Sequence, residues 1–464
     1  MPKLIKCISP ADGSVYAEHP VATTREIHDK LSKAHMALPG WKALSVAERA
    51  EYCTKAVDAM MAMSDEIGPE LASQMGRPIR YAAGELGGFE ERARFMIEAA
   101  AEKLADVDPG DKTGFRRYIR REPLGTVLTI APWNFPYLTT VNSVIPALMA
   151  GNAVVLKHAS HTLKVGDRFQ QAFDAAGIPE GIFQNIVMDH RQTGEVIGGG
   201  FVDMVCFTGS VDGGRQMEEL AVGHFIPVGL ELGGKDPAYV RADCNLEHAI
   251  ENLADGAFFN SGQSCCGIER IYVHEDVYDA FVEGIVKVAN SYVLGDPLDE
   301  ATTLGPMIKP EAADFVRKQI NEAIAAGATP HIDPADFPLA KSGSTYMAPQ
   351  VMTDVDHTMS IMREESFGPV VGIMKVAHDE DAINFMNDSD LGLTAAIWTE
   401  DVDAAERIGD RLETGTVFMN RCDYLDPALA WTGVKNTGRG CTLSALGYET
   451  LTRPKSFHLR TDTK

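Results

Sequence analysis

No two cysteines in this 464-residue chain stand at Cys-x-x-Cys spacing, and no histidines cluster at the spacing of zinc ligands. The eight cysteines, at 7, 53, 206, 244, 265, 266, 422 and 441, therefore point to no metal site. Cationic side chains are scarce. Against 66 Asp and Glu there are 42 Lys and Arg, and the net charge of −24 disfavours nucleic acid and anionic membrane as partners. An uninterrupted apolar run is also missing. The longest apolar region, 126–156, is broken by Pro132, Asn134, Pro136, Asn142, Pro146 and Asn152, which excludes it as a membrane span. Residues 1–10 hold no long apolar core of the kind a secretory leader carries, so a reducing cytoplasm is the expected setting. Short-period repeats and low-complexity segments are absent too.

What is present is ordinary for a globular chain: 45% hydrophobic and 23% charged residues. The length exceeds what one core organises, so two or more domains are expected. Residues 24–105 carry apolar positions at three- and four-residue steps and read as helical. After a turn at 106–112, residues 115–121 alternate like a strand with a basic face. From 126 onward strands and helices alternate. Strands are predicted at 126–130, 153–157, 182–187, 204–207 and 226–231, with helices at 139–150, 162–176 and 192–197. This is the pattern of a parallel sheet covered on both faces, hence an α/β, dinucleotide-type domain. A second series follows 236, with helices at 246–259, 277–293 and 404–412, and strands at 271–273, 370–376, 395–399 and 416–420. Residues 433–440 read as a Gly-rich loop and 452–460 as an extended tail.

Within the second series, residues 258–270 place Cys265 and Cys266 just after the small polar turn Gly262-Gln263-Ser264 and before the β-like run Ile271-Tyr272-Val273. A nucleophilic thiol needs such a turn, one that exposes sulfur and aims backbone N–H groups at it. Taken alone, a Cys among small residues is more often a buried structural one. Four further blocks accompany it: Ala131-Pro132-Trp133-Asn134-Phe135-Pro136, Phe207-Thr208-Gly209-Ser210, Glu231-Leu232-Gly233-Gly234-Lys235, and Glu365-Ser366-Phe367-Gly368-Pro369-Val370. Over nearly its whole length the chain resembles the NAD(P)-dependent aldehyde dehydrogenase superfamily, with these five blocks in that family's order.

The resemblance implies a Rossmann-like dinucleotide-binding domain (1–104 and 124–232), a catalytic domain (233–432), and a small β extension for oligomerisation (105–123 and 441–464). It implies a homodimer or homotetramer, with the 115–121 hairpin reaching a neighbouring subunit and the tail pairing across a subunit boundary. A solvated, charge-protected edge strand is the alternative for 115–121. Cys265 is the implied nucleophile, and the Asn134 amide with the Cys265 backbone N–H the implied oxyanion donors. Glu231, 34 residues before the thiol, is the implied general base that activates water against a thioester. The coenzyme-A-acylating branch typically lacks this Glu, so a free acid is the expected product.

For the cofactor, NAD or NADP, the resemblance points to Lys157 and Glu365 at the two riboses and Phe367 near the nicotinamide. Trp133, Gly209, Ser210 and Gly214 complete the expected contacts, with Gly209 to Gly214 opening a helix suited to a pyrophosphate. Ser160 stands where NAD-specific members often carry Glu. Losing that carboxylate removes repulsion against a 2′-phosphate, so NADP is expected to be accepted alongside NAD. Phe135, Thr139, Asn142, Phe259, Tyr424 and Trp431 match the substrate pocket, an aromatic funnel for uncharged or weakly polar aldehydes. Succinate semialdehyde dehydrogenases usually place Arg at the positions of Asn142 and Phe259. An acidic semialdehyde is the alternative substrate, with Arg421 or Arg439 as its anchor. The Gly-Arg-Glu expected after the last glycines is replaced by Gly440-Cys441-Thr442. Two further classes remain open: a cofactor-free cysteine hydrolase, for which no His stands near the blocks except His158, and a non-catalytic cofactor-binding homologue.

Overall fold

The computed structural model describes residues 3–463. The helical run opens the fold as four helices, Thr24–Ala43, Val46–Met61, Ser64–Met75 and Ala82–Lys103. The breaks are written locally. Thr23 and Ser45 each close a capping box with Glu26 and Glu48, and Gly76 ends the third helix at φ 83°.

Two parallel sheets organise the rest. The first runs in the order Gly438–Arg439, Val228–Glu231, Met204–Thr208, Thr126–Ile130, Ala153–Lys157, Phe183–Asn185. All neighbours are parallel except the edge pair of Gly438–Arg439 with Val228–Glu231. Its central strands are buried on both faces, which explains their continuous apolar sequence. Strand order reverses between Thr126–Ile130 and Met204–Thr208, and ligands bind such sheets beyond the carboxyl ends at that switch point. Those ends lead directly into Ala131–Asn134, Lys157, Gly209-Ser210 and Glu231.

The second sheet runs Thr329–Pro330, Gln350–Thr353, Val370–Val376, Ile268–His274, Asp236–Val240, Thr394–Trp398, Thr416–Met419, and only Thr329–Pro330 is antiparallel. Three of its strands are entered from motif blocks: Gly233-Gly234-Lys235, Cys265, and Glu365-Ser366-Phe367. The amino ends of this sheet thus meet the carboxyl ends of the first, and the blocks converge where they meet.

One expectation is corrected. Residues 433–440 are not a free loop. Val434–Lys435 pairs with Leu391–Gly392, and Gly438–Arg439 extends the first sheet, because Gly438 at φ 121° lacks a Cβ that would collide with the Leu230 carbonyl. The tail Thr452–Arg460 pairs antiparallel with Phe115–Pro123 of the same chain. Stacked rings hold that ribbon, Tyr118 on Phe457 at 4.5 Å and Phe115 on His458 at 4.6 Å between centroids. Among the described residues no helix is long and apolar enough to cross a membrane.

Candidate active site

The turn before Cys265 is built from backbone conformations that most residues avoid. Where the helix Leu246–Phe258 ends, Asn260, Ser261 and Gly262 adopt φ of 51°, 57° and 69°. A Cβ at Gly262 would collide with the Gly368 carbonyl, so glycine is required there. Side chains brace the turn. Ser261 Oγ donates to Gly305 O at 2.7 Å, Gln263 Nε2 donates to Asn260 O at 3.1 Å, and Gln263 Oε1 accepts from Ile308 N at 2.8 Å. The turn leaves Cys265 half-buried and buries Cys266, whose Sγ donates to Asp423 Oδ1 at 2.9 Å. A hydrogen bond with Cys265, and then burial, hold the Cys266 thiol well above its ordinary pKa.

Asn134 is locked against this turn, its Nδ2 donating to Gln263 O at 3.2 Å. Its own carbonyl accepts from Arg77 Nη2 at 2.6 Å and Asn260 Nδ2 at 3.3 Å. Buried Arg77 pairs with buried Glu85, and Glu85 accepts from the Tyr137 and Leu138 amides at the start of the helix Pro136–Met149. One amide hydrogen of Asn134 is thereby committed and the other is left for a ligand.

Glu231 closes the strand Val228–Glu231 with its carboxylate turned inward. Oε2 accepts from Thr208 Oγ1 at 3.0 Å and Oε1 from Thr442 Oγ1 at 2.5 Å. Burial raises its pKa, opposed by the Thr442 and Thr208 hydroxyls, the Arg92 charge and the Asn142 amide. The replacement of Gly-Arg-Glu by Gly440-Cys441-Thr442 thus has a local consequence: it brings a hydroxyl onto this carboxylate. Thr442→Val should raise the Glu231 pKa further. Only the ionised form accepts a proton, so the acid limb of the kcat–pH profile should move to higher pH, as steady-state rates across the acid range would reveal. An unmoved limb would mean that Glu231 does not set it.

Two cavities meet at these groups. One, of about 380 Å³, is lined by all six pocket residues, Phe135, Thr139, Asn142, Phe259, Tyr424 and Trp431. The other, of about 480 Å³, is lined by Trp133, Asn134, Lys157, Gly209, Ser210, Glu365 and Phe367. Cys265, Glu231, Thr208, Leu232 and Thr139 line both.

The second cavity fits a dinucleotide. Lys157 is mostly buried, with no hydrogen-bonding or ionic partner among the described residues, and burial lowers its pKa. Ser210 caps the helix Val211–Ala221, its Oγ accepting from Gly213 N at 3.2 Å, so backbone amides open toward the cleft. Glu365 Oε1 accepts from Gly234 N at 3.2 Å, and burial, followed by the nearby Glu269, raises its pKa to about 8. Phe367 meets Trp133 edge-on at 5.8 Å. Two expected contacts do not line the cleft. Ser160 is exposed on the short turn Ser160–Thr162, with Ala159 taking its place on the wall. Gly214 lies inside the helix, where a Cβ would strike the Leu232 side chain, so its smallness serves packing.

Several residues that hold the site escaped the sequence reading. Lys235 and Glu269, each at most 4% exposed, form an ion pair at 2.5 Å, with Lys235 also donating to Ser366 Oγ at 3.1 Å. Glu269 accepts from the Ser366 and Phe367 amides at 2.8 Å each. This pair ties the Glu231 and Glu365 blocks to the strand following Cys265. The presence of Lys235 in a motif block was the available signal. Glu269→Gln should destabilise the fold by about 3–5 kcal/mol, because it leaves a buried ammonium without its counter-charge. Urea unfolding would measure this, and a loss below about 1 kcal/mol would contradict it. Arg92, inside the helix Ala82–Lys103, also reaches the first cavity, whereas Arg421 and Arg439 do not line it. Arg421 stacks on Tyr424 at 3.3 Å from the ring centre, and Arg439 pairs with Glu218 at 3.0 Å.

The sequence profile described as the aldehyde dehydrogenase family matches residues 2–457. A protein of Mycolicibacterium paratuberculosis, named succinate-semialdehyde dehydrogenase [NADP(+)], is 33% identical over 455 residues, covering 97% of this chain and 96% of its own. The crystal structure of an NAD-dependent aldehyde dehydrogenase from Sinorhizobium meliloti superposes with a TM-score of 0.95 at 31% identity, covering 100% of this chain and 92% of that one. The structure of succinic semialdehyde dehydrogenase from Streptococcus pyogenes with NADP+ gives 0.93 at 28% identity, covering 98% and 100%.

Proposed function

This chain belongs to the aldehyde dehydrogenase family, and from that premise we propose that Cys265, Glu231 and Asn134 carry out its NAD(P)-dependent oxidation of an aldehyde to the free acid. The observation carrying this assignment is that Cys265 and Glu231 line both cavities at once. A substrate in one and a dinucleotide in the other would share a single reacting centre.

Cys265 Sγ adds to the aldehyde carbon, and the resulting oxyanion takes hydrogen bonds from the free Asn134 Nδ2–H and the Cys265 backbone N–H. NAD(P)+ bound in the second cavity would supply the hydride acceptor, and loss of hydride from that carbon would leave Cys265 holding a thioester. Glu231, held by Thr208 and Thr442, removes a proton from the water that hydrolyses it. Its raised pKa suits a base that must accept that proton near neutral pH. Lys157 and Glu365 would hold the two riboses, and Phe367 with Trp133 would wall the nicotinamide end.

NADP+ use is supported by Lys157, a cation without a partner, and by a cleft wall with Ala159 rather than a carboxylate at that point. A panel of aliphatic, aromatic and acidic aldehydes assayed with both cofactors tests the reading. Expected is turnover with NADP+ at a kcat/KM within about a hundredfold of that with NAD+, a gap of less than about 2.7 kcal/mol. Absence of turnover on every aldehyde, with reduced cofactor still bound, would favour a non-catalytic homologue.

A further inference from the structure

We infer that Arg92 is the substrate-specificity residue of this site, and that it binds a carboxylate at the far end of an aldehyde whose carbonyl sits at Cys265. The inference rests on the proposed function and adds to it the class of substrate. Arg92 is buried, 7% exposed, in the wall of the cavity that holds Cys265. Its only partners among the described residues are neutral oxygens, Leu138 O at 2.7 Å and Asn142 Oδ1 at 3.3 Å, both bonded from Nη1. Its Nε and Nη2 donors have no protein acceptor, and it forms no ion pair. Arg77, 15 residues earlier and also buried, shows the usual solution, a direct pair with Glu85.

A guanidinium does not shed its charge, and although Glu85 and Glu231 act on Arg92 through space, the lack of a direct ion pair leaves open donors on which an incoming anion lowers the cost of burial. Its fork of donors matches a carboxylate in two parallel hydrogen bonds. The acids on the same wall are otherwise engaged. Glu85 is paired with Arg77, Glu91 accepts from the Tyr424 hydroxyl at 3.0 Å, and Asp423 accepts from Ser264 and Cys266 at 2.9 Å each. Glu231 is held by two hydroxyls. Asp255, also on this wall, has no hydrogen-bonding partner among the described residues, and burial, then the nearby Asp423, raises its pKa to about 6. Arg92 is thus the cation on this wall whose Nε and Nη2 donors have no acceptor among the described residues. Asn142 Oδ1 accepts from Arg92, which anchors the guanidinium against the helix Pro136–Met149.

The test compares succinate semialdehyde, its methyl ester and butanal, with NADP+ as cofactor. In the wild-type enzyme the kcat/KM for the free acid should exceed that for the ester by at least about 30-fold, the usual scale of a desolvated charge pair. In Arg92→Gln the preference should shrink at least about 30-fold, mainly through KM, and Arg92→Lys should restore part of it. A wild-type enzyme that turns over butanal and the ester as well as the acid overturns the role of Arg92 while leaving the proposed function standing. Equal losses on all three substrates in Arg92→Gln, with a shifted acid limb, would make Arg92 an electrostatic partner of Glu231 instead. A wild-type enzyme inert toward all three, with no hydride transfer in the first turnover, would sink the proposed function itself. The wild-type ester comparison does not depend on how well any variant folds.

Discussion

Cys265→Ala is expected to abolish aldehyde oxidation, with kcat falling by at least about 10⁴-fold, while the affinity for NADPH stays unchanged. The magnitude is that of removing a covalent nucleophile, for which the remaining site offers no equivalent path. Cofactor binding should persist because Lys157, Ser210, Glu365 and Phe367 line the cleft independently of the sulfur. The measurement is a pre-steady-state record of NADPH formation beside a fluorescence titration of NADPH. Cys266 is the natural challenger, but it is buried, its thiol is pushed up by the bond to Cys265 and by burial, and it donates its S–H to Asp423. Turnover surviving in Cys265→Ala and lost in Cys266→Ala would move the nucleophile to Cys266. Loss of both turnover and NADPH binding would mean that the substitution collapses the turn, whose left-handed residues Asn260 to Gly262 are already strained.

Glu231→Gln should separate the two halves of the reaction. Hydride transfer precedes the need for a base on water, so one equivalent of NADPH per active site should appear in a burst. Steady turnover should then fall by about 10²–10⁴-fold, the range of general-base contributions. Gln keeps the shape, its Oε1 can accept from one of the two threonine hydroxyls and its Nε2 can donate to the oxygen of the other, so a folding defect is not expected. Rapid-quench or stopped-flow measurement at saturating aldehyde distinguishes the outcomes. If the burst itself disappears, Glu231 also activates the Cys265 thiol. If steady turnover is untouched, another group deprotonates the water. The raised pKa of Glu231 requires that wild-type deacylation slow on the acid side, where the carboxyl becomes protonated and can no longer accept.

The two series of alternating elements were legible because each strand of a doubly covered sheet is apolar throughout and bounded by Gly, Pro and Asn. The boundaries inside 24–105 were also written locally, in the Thr23 and Ser45 capping boxes and Gly76, yet the apolar periodicity runs across them. The helices Pro310–Ala325 and Asp379–Asn387 went unassigned, although each has a start signal, Pro at the first position and three acids in the first turn.

By itself the sequence determined which chemistry this protein carries. Cys265, Glu231 and Asn134 lie in short blocks whose order carries the family resemblance that implies their roles, and the close approach of Gly368 dictates glycine at 262. Only the tertiary structure decided what stands opposite them. Glu231 meets Thr442 from 211 residues away, and Arg92 lines the cavity at Cys265 while Arg77 pairs with Glu85. Ser160 and Gly214 do not line the cleft for the same reason. A side chain's partner is chosen by packing of distant elements, and that choice is not encoded at the residue where the charge resides.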